Sequence, residues 1–355
     1  MKAVLLKGRG GFEQLEYRED VPVPEPGAGE VLIEVGAAGV NNTDINTRTG
    51  WYAKAVTEGT TAGGAATGYA ELARDAAGWS GQAAQFPRIQ GADACGRIVR
   101  TGCGVNPARI GERVLIEPAF RTPGGTPYQV LYFGSECDGG FAEFARVPAV
   151  YAHPIKSTLS DIELASFPCA YSAAENMLTR AALQAGETVL VTGASGGVGS
   201  AAVQLARRRG ATVIAVAGAA KAAAVVALGA QQVIERAADP EQALGCESVD
   251  VVIDVAGGAG FAARLAVLRR GGRYATAGAI AGPLVELDLR TLYLKDLTLY
   301  GATVLGATVF ASLVRYIEEG AIRPLVAAVL PLREIVAAQQ QFLAKAHTGK
   351  IVLVL

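Results

Sequence analysis

A glycine-rich turn between a predicted strand and a predicted helix restricts the fold of this chain more than any other feature. The segment VTGASGGVG follows a short apolar run and precedes a run rich in alanine. Gly193, Gly196 and Gly199 recur at every third position, and Gly197 adds a further glycine. A backbone with positive φ, close approach to a ligand and tight packing of a helix on a strand each require the absence of a Cβ.

The helix that follows this turn predicts a dinucleotide site, although a turn that only packs a helix on a strand would have a similar sequence. The free N–H groups and the positive dipole end of a helix N-terminus attract phosphates. Further strand–helix units follow, and this is the context that gives a glycine triplet its meaning. We therefore predict cofactor contacts from the turn residues Gly193, Ala194, Ser195, Gly196, Gly197, Val198 and Gly199.

The end of the next predicted strand indicates which cofactor binds. A site for NAD places Asp or Glu there, about 20 residues after the turn, to bind the ribose 2′-hydroxyl. Here the strand VIAVA continues into Gly218, two alanines and Lys221, with no acid. We expect NADP(H), with Lys221 paired with the 2′-phosphate and Arg236 as a second cationic candidate. An exposed residue at a helix start is the alternative interpretation of Lys221.

The chain has two parts of different texture. Short segments bracketed by glycine and proline fill the first third and predict a β-rich domain. After His153, runs of valine and isoleucine alternate with helical segments, which is typical of a parallel sheet covered on both faces. A segment rich in Ala, Gly and Thr, from about Ala53 to Pro87, interrupts the first part. We interpret it as a long loop with one short helix that serves as a lid or a substrate wall.

Composition excludes several partners. The chain has 355 residues, of which 51% are hydrophobic and 18% charged, as expected for a globular protein of two domains. The formal charge of -1 gives no attraction to nucleic acid or to acidic membranes. No apolar run reaches the roughly 18 residues that span a bilayer. Five cysteines without a CxxC pair fit a reducing compartment, so we predict a cytoplasmic protein.

Several motifs, in their order, resemble the medium-chain dehydrogenase/reductase superfamily and its zinc-independent quinone oxidoreductase-like branch. They are GVNNTDINTRTGWY, GADACGRIV, DGGFAEFARV, the glycine turn, VDVVIDVAGG and the closing GKIVL. The resemblance covers nearly the whole chain. It implies an α/β protein with a GroES-like catalytic domain over 1–163 and a doubly wound, parallel Rossmann domain for NADP over 164–304. A return segment, 305–355, completes the catalytic domain.

The resemblance also implies that no metal binds. Zinc-dependent relatives carry a cysteine ligand after the GV of the first motif, a His-Glu pair in the second, and a lobe with four cysteines. This chain has Asn41 at the first place and Ala92 and Asp93 at the second. Cys137 is the one cysteine where the lobe would be, and a structural zinc site needs four donors.

A site without metal favours substrates that need less polarisation. A quinone or an α,β-unsaturated carbonyl accepts hydride at a conjugated position and spreads the charge onto oxygen. By resemblance, Asn41, Asp44, Arg48 and Tyr52 lie at the cleft. The Asn41 amide would bind an oxyanion or a water, Arg48 would stabilise an enolate, and Tyr52 would donate a proton or stack on the substrate. Alternatively, Asp44 caps a helix, Tyr52 only fills the cleft, and solvent supplies the proton.

Other residues enter through the resemblance alone. The additional cofactor contacts implied are Ser172, Val255, Ala256, Gly257, Gly278, Ala279 and Lys350. LTLYGAT resembles an edge strand through which such proteins pair, so we expect a homodimer. Two rival functions stay open: an alcohol dehydrogenase that acts on a simple alcohol, and a protein that binds NADPH without catalysis, as in relatives recruited as lens crystallins.

Overall fold

The computed structural model describes residues 1–60, 63–69 and 85–355. Short strands dominate the first part, which also contains two helices. These elements are β1 (Ala3–Leu6), β2 (Leu15–Arg18), β3 (Glu30–Gly39), α1 (Asn42–Thr49), α2 (Gly64–Thr67), β4 (Arg88–Ile89), β5 (Cys95–Thr101), β6 (Arg113–Ile116), β7 (Ala119–Arg121), β8 (Val130–Tyr132), β9 (Phe144–Pro148) and β10 (Ala152–Pro154). The short helix α2 lies in the segment that we interpreted as a loop with one helix, whereas residues 61–62 and 70–84 of the expected lid lie outside the described residues.

Strands and helices alternate in the second part. The elements are α3 (Asp161–Leu164), α4 (Pro168–Arg180), β11 (Thr188–Val191), α5 (Gly197–Arg208), β12 (Thr212–Ala217), α6 (Ala222–Leu228), β13 (Gln232–Glu235), α7 (Pro240–Leu244), β14 (Val249–Asp254), α8 (Phe261–Ala266), β15 (Leu268–Thr276), α9 (Leu289–Leu294) and β16 (Thr298–Gly301). The six strands form one parallel sheet in the order β13-β12-β11-β14-β15-β16. This order is that of a doubly wound dinucleotide-binding fold.

Helix α8 is short. The run AARLAVLRR is rich in helix-forming residues, but α8 ends at Ala266 and β15 begins at Leu268. Leu268 is fully buried and pairs with Val249 of β14, so burial in the sheet prevails over helical propensity.

The end of the chain returns to the first part. It contains α10 (Val309–Glu318), β17 (Val326–Pro331), α11 (Ile335–Ala344) and β18 (Lys350–Val354). Strand β18 pairs in parallel with β17 and antiparallel with β3, which completes a seven-stranded sheet. The exact boundaries at residues 163 and 304 stay predictions.

Helix α4 lies between the two parts of the chain. Its buried residues belong to the same apolar cluster as Ala37 and Cys95 of the first sheet and Val189 of the parallel sheet. Because one helix packs against both sheets, its N-terminus lies where the sheets meet, and this position brings Cys169 and Ser172 to the cleft. All five cysteines are free. Among the described residues, every helix is too short or too polar to cross a membrane.

Candidate active site

The glycine turn lies at the carboxyl end of β11. Gly193 has a φ of +56°, and α5 begins four residues later at Gly197. A Cβ on Gly199 would lie only 2.2 Å from the carbonyl oxygen of Gly193, so the helix can pack this closely only with glycine. The first turn of α5, which includes Val198, has N–H groups without acceptors inside the helix. Ala194 and Ser195 are buried beneath the turn. This arrangement fits a pyrophosphate.

Asp254, at the end of β14, holds the neighbouring turn in place. Its fully buried carboxylate accepts hydrogen bonds from the hydroxyl of Thr192 (2.5 Å), the backbone N–H of Ala256 (2.8 Å) and the guanidinium of Arg264 (2.9 Å). The backbone N–H of Gly257 also donates to it. Asp254 therefore links the start of the glycine turn to the predicted contact residues that follow β14.

The ends of β14 and β15 lie side by side at the same edge of the sheet. The backbone N–H of Ile280 donates to Val255, and a Cβ on Gly257 would meet Ala279 at 3.2 Å. Gly278 is exposed beside Val255. The structure thus brings together the predicted contact residues of these two strands. The first part of the chain also reaches this edge of the parallel sheet, because the backbone N–H of Thr60 donates to the carbonyl of Ile280 (3.0 Å).

Basic side chains surround the end of β12, where the 2′-phosphate was predicted. Lys221 uses two of its three N–H bonds on the carbonyls of Lys345 and His347, so only one remains for a ligand. Arg236 is exposed, with its guanidinium 3.4 Å from the position of a Cβ on Gly218. Within the part of the chain that the structure describes, neither Lys221 nor Arg236 pairs with an acid.

Lys345 is a cationic residue of this region that the sequence analysis missed. It adopts a left-handed conformation at the end of α11, and its ammonium donates to the Asn42 side chain (3.1 Å). Burial and the nearby charge of Lys221 lower the pKa of Lys345 to about 7. Its place in the sequence, five residues before Lys350, gave no periodic pattern that would reveal it.

A buried polar network lies between the glycine turn and the front motif. The ammonium of Lys350 donates to Asp93 Oδ2 (2.7 Å), Asn41 Oδ1 (2.5 Å) and the carbonyl of Val40 (2.9 Å). The methylene stem of Lys350 runs along Gly197, where a Cβ would lie 2.9 Å from its Cδ. Lys350 therefore connects the predicted cofactor turn to the predicted cleft, and Asp93 is a central residue that the sequence analysis compared with a zinc ligand but did not place in the site.

The amide of Asn41 is not available to an oxyanion. Its Nδ2 donates to Asp93 (2.8 Å) and to the carbonyl of Gly39 (3.2 Å), and its Oδ1 accepts from Lys350. The side chain is 7% exposed. In this arrangement both N–H bonds of the Asn41 amide, which was predicted to bind an oxyanion or a water, have partners within the protein.

Asp44 caps the helix that begins beside Asn41. Its Oδ2 accepts from the backbone N–H of Asn41 (2.7 Å), which forms a capping box at the start of α1, and its Oδ1 accepts from that of Gly91 (3.2 Å). Burial raises the pKa of Asp44 to about 7. The structure agrees with the alternative that the sequence left open, a helix cap.

Arg48, predicted to stabilise an enolate, has hydrogen-bond partners within the protein. Its guanidinium is completely buried and donates to Gly10, Ala65 and Gln339 at 2.9 Å each. It also lies 4.4 Å from the ring centre of Phe12. These contacts use three of the five N–H bonds of the guanidinium and fasten the N-terminal loop, α2 and α11 to one another.

Tyr52, Tyr132 and Cys169 supply the weak acids of the cleft. Burial of its hydroxyl raises the pKa of Tyr52 to about 12, and the hydroxyl interacts with Thr43 and Asn46. The Tyr132 hydroxyl lies 3.3 Å from the sulfur of Cys169, whose own pKa burial raises to about 12. All three side chains are therefore neutral and protonated near pH 7. Neither Tyr132 nor Cys169 was among the predicted site residues, although Ser172, three residues after Cys169, was.

Ser172 lies one turn further along α4 than Cys169. Its hydroxyl donates to the carbonyl of Cys169 (3.2 Å), and the side chain is buried. This hydroxyl is consequently part of the helix surface beneath the cleft.

Two family descriptions match this chain. Residues 27–157 match the alcohol dehydrogenase GroES-like domain, and residues 197–319 match the zinc-binding dehydrogenases. The acryloyl-coenzyme A reductase of Metallosphaera sedula is 30% identical over 99% of both proteins. The chain belongs to the medium-chain dehydrogenase/reductase superfamily. The quinone oxidoreductase of Rattus norvegicus, 27% identical over 100% of this chain and 98% of its own, indicates the quinone oxidoreductase-like branch.

Solved structures of the superfamily agree with this fold. A crystal structure from Sinorhizobium meliloti, provisionally described as an alcohol dehydrogenase, shares 49% identity and a TM-score of 0.87, with 100% of this chain and 96% of that one covered. The 2-octenoyl-CoA carboxylase reductase CinF, solved with NADP and 2-octenoyl-CoA, shares 27% identity and a TM-score of 0.83 over 99% and 87%. The predicted fold class and family are confirmed, and the comparisons support an oxidoreductase with a nicotinamide cofactor.

The residues of this superfamily member do not fit a zinc ion. Asn41 and Asp93 direct their oxygens at the Lys350 ammonium, and Ala92 offers no side-chain donor. Across residues 1–60, 63–69 and 85–355, no three or more His, Cys, Asp or Glu side chains are grouped so that they could hold a metal. The match to a family described as zinc-binding therefore does not extend to its metal ligands.

Proposed function

We propose that this protein reduces a conjugated carbonyl compound, either a quinone or an α,β-unsaturated carbonyl, with NADPH and without a metal. The observation that carries the proposal is the Lys350–Asp93 ion pair, which fills the space between the glycine turn and the front motif with an internal ammonium. When bound, NADPH would supply a hydride, which together with one proton from water would convert the C=C bond of an enone into a CH–CH bond, or a quinone into its hydroquinone, with release of NADP⁺.

The basic residues around β12 support NADPH over NADH. Lys221 and Arg236 flank the end of that strand, Lys345 lies close enough to Lys221 to feel its charge, and no described acid pairs with the three side chains. A 2′-phosphate carries charge that such a group can pair with, whereas the 2′-hydroxyl of NADH would leave the cations without a partner. The CinF structure, a relative solved with NADP, supports the same choice.

Tyr52 is the residue that we propose for binding the substrate oxygen. Its pKa of about 12 keeps the phenol protonated, and the residue is half-buried at the open side of the network. A neutral hydroxyl can donate a hydrogen bond to an oxygen on which charge develops. Asn41 and Asp44 act beneath it, because they hold the start of α1 and thereby the position of Thr43 and Tyr52.

The names of relatives support the substrate class. They include a quinone oxidoreductase, an acryloyl-coenzyme A reductase and a complex with 2-octenoyl-CoA, and each named substrate has a conjugated carbonyl group. The rival function, oxidation of a simple alcohol, is disfavoured because the described residues of the cleft form no metal site to polarise an unconjugated carbonyl. A protein that only binds NADPH would not require the hydrogen-bond network that connects the cofactor turn to the cleft.

Oxidation of NADPH, followed by its absorbance, tests the proposal with a panel of quinones, enones and enoyl thioesters. We expect turnover with at least one conjugated class and none with ethanol and NADP⁺. The variant Tyr52→Phe should lower kcat about 10- to 100-fold while the Kd for NADPH stays the same. NADPH binding without turnover of any member would favour the non-catalytic role, and ethanol oxidation would favour an alcohol dehydrogenase.

A homodimer through β16 is the assembly that we propose. Strand β16 is the last strand of the parallel sheet, and apolar side chains are exposed near it on Leu289, Tyr293, Leu294 and Leu299. An unpaired edge with apolar neighbours favours pairing with a second copy. Light scattering should give twice the mass of the 36.5 kDa chain, and Leu299→Lys should yield the monomer. A monomeric native protein would contradict this assembly.

A further inference from the structure

Lys350 has an environment that an ordinary cofactor ligand does not need. Its side chain is 3% exposed, and its ammonium has three oxygen acceptors, on Asp93, Asn41 and Val40. Because an ammonium has three N–H bonds, none remains for substrate or cofactor. Lys350 can therefore influence the reaction through its charge and through the groups that it holds.

Asp93 is the only anion in direct contact with this ammonium in the described structure. Its Oδ1 accepts the backbone N–H of Cys169 (2.6 Å), and its Oδ2 accepts from Asn41 as well as from Lys350. The carboxylate thus holds the first turn of α4, which carries the cleft residue Cys169. Without the ammonium, this carboxylate would be a buried and unpaired negative charge beside the reaction space.

The other ionisable groups around the pair are mostly neutral. Burial keeps the phenols of Tyr52 and Tyr132 and the thiol of Cys169 protonated. Two further groups sense the charge of Lys350: Asp44, with a pKa near 7, and His347, whose pKa of about 4 leaves the ring uncharged. The charge balance at the base of the cleft is consequently set by Lys350 and Asp93, with Asp44 as the second possible anion.

We propose that Lys350 is a positioning residue whose charge cancels that of Asp93, so that the negative charge which hydride transfer places on the substrate oxygen is not opposed by the protein. The inference rests on the proposed function, because it needs a reaction in which negative charge develops. A buried charge acts strongly on neighbours in a medium of low polarity, so one unbalanced carboxylate would raise the barrier.

The backbone around Lys350 links this charge to the cofactor turn. The N–H of Gly349 donates to the carbonyl of Ser195 (3.0 Å), and the stem of Lys350 lies against Gly197. The ammonium is therefore held at one end by the turn and at the other by Asn41 and Asp93. The substitution Lys350→Met would preserve the methylene stem of the side chain and remove only the charge, which makes it the informative variant.

The test compares Lys350→Met, the double variant Lys350→Met/Asp93→Asn and the control Lys156→Met, which removes an equal charge from an exposed residue. Kd for NADPH is measured by fluorescence, and kcat with the best conjugated substrate from pH 5.5 to 8.5. We expect Lys350→Met to keep its Kd within about threefold and to lose about 100-fold in kcat at pH 8. The double variant should recover to within about tenfold of the wild type, because it removes the carboxylate that Lys350 balances.

Equal losses in the single and double variants would overturn the inference and assign Lys350 to packing alone. If Lys350→Met does not fold, the double variant decides: kcat within tenfold of the wild type supports the proposal, and a loss of 100-fold contradicts it. Absence of turnover by the wild type with every conjugated substrate would instead refute the proposed function, which separates the two failures.

Discussion

The backbone N–H of Asn41 donates to Asp44 Oδ2 at 2.7 Å, and this contact caps the start of α1. The side chain of Asn41 also forms hydrogen bonds with Lys350 and Asp93. The front motif therefore has a structural role. It caps α1, holds the Asn41 amide in place and orients the segment that carries Tyr52.

The pH dependence of stability should report Asp44. Burial raises its pKa from 3.8 to about 7, so the folded state binds this proton more tightly than the unfolded state does. The contribution is fully present below pH 3.8 and is lost as the pH rises through 7, by on the order of 4 kcal/mol in total. Urea titrations at pH 5 and pH 8 should show a larger decline for the wild type than for Asp44→Asn. Parallel declines would contradict this assignment.

Arg48 should matter for stability and not for catalysis. Replacement by methionine leaves the oxygens of Gly10, Ala65 and Gln339 without their donor, so the free energy of unfolding should fall by about 3 kcal/mol. Calorimetry should show a Tm several degrees lower, with an unchanged kcat at 25 °C. The matched control is Arg290→Met, because Arg290 is exposed and pairs only at the surface. An unchanged Tm with a reduced kcat would restore the catalytic role.

Two glycines of the turn should respond differently to alanine. At Gly199 the new Cβ would lie 2.2 Å from a backbone oxygen, so Gly199→Ala should lower the Tm and abolish NADPH binding. At Gly196 the nearest described atom is 3.4 Å from the Cβ position, so Gly196→Ala should fold normally. If a pyrophosphate lies against this turn, Gly196→Ala should still raise the Kd for NADPH at least about tenfold. An unchanged Kd would place the cofactor elsewhere.

Cofactor choice should depend on Arg236 and Lys345. Arg236→Ala and Lys345→Met should each raise the KM for NADPH about tenfold and change that for NADH less than twofold. Lys345 loses its charge above its pKa of about 7, so the KM of the wild type for NADPH should rise from pH 6 to pH 8. Initial rates with both cofactors measure this, and Lys345→Met should flatten the profile. Equal effects on NADH would show that the cluster does not bind the 2′-phosphate.

Local patterns in the sequence predicted the parallel sheet and the glycine turn well. Runs of valine and isoleucine, and glycines at 193, 196 and 199, have direct steric meaning, and the structure contains the corresponding strands and helix. The short α8 was harder to predict, because pairing of Leu268 with Val249 depends on a strand distant in sequence.

The cleft was predicted less completely, since its chemistry depends on residues far apart in the chain. Nothing in the sequence indicates that Asp93 and Lys350 form hydrogen bonds with the side chain of Asn41. Nor does it show that Arg48 has three acceptors within the protein. Cys169 and Lys345 became site residues only through the packing of α4 and the return of the chain after α11. A motif identifies which residues are close to a site, whereas their hydrogen-bond partners determine what each can do.

Deuterium transfer by chelator-treated protein is the most direct test of a conjugate reduction without metal. The protein is incubated with NADPH deuterated at C4 and a conjugated enone or enoyl thioester, and the product is examined by NMR. We predict deuterium at the β-carbon of the product, formed at a rate that neither chelator nor added zinc changes. Deuterium on the carbonyl carbon, or activity that chelator removes and zinc restores, would contradict a conjugate reduction carried out without metal.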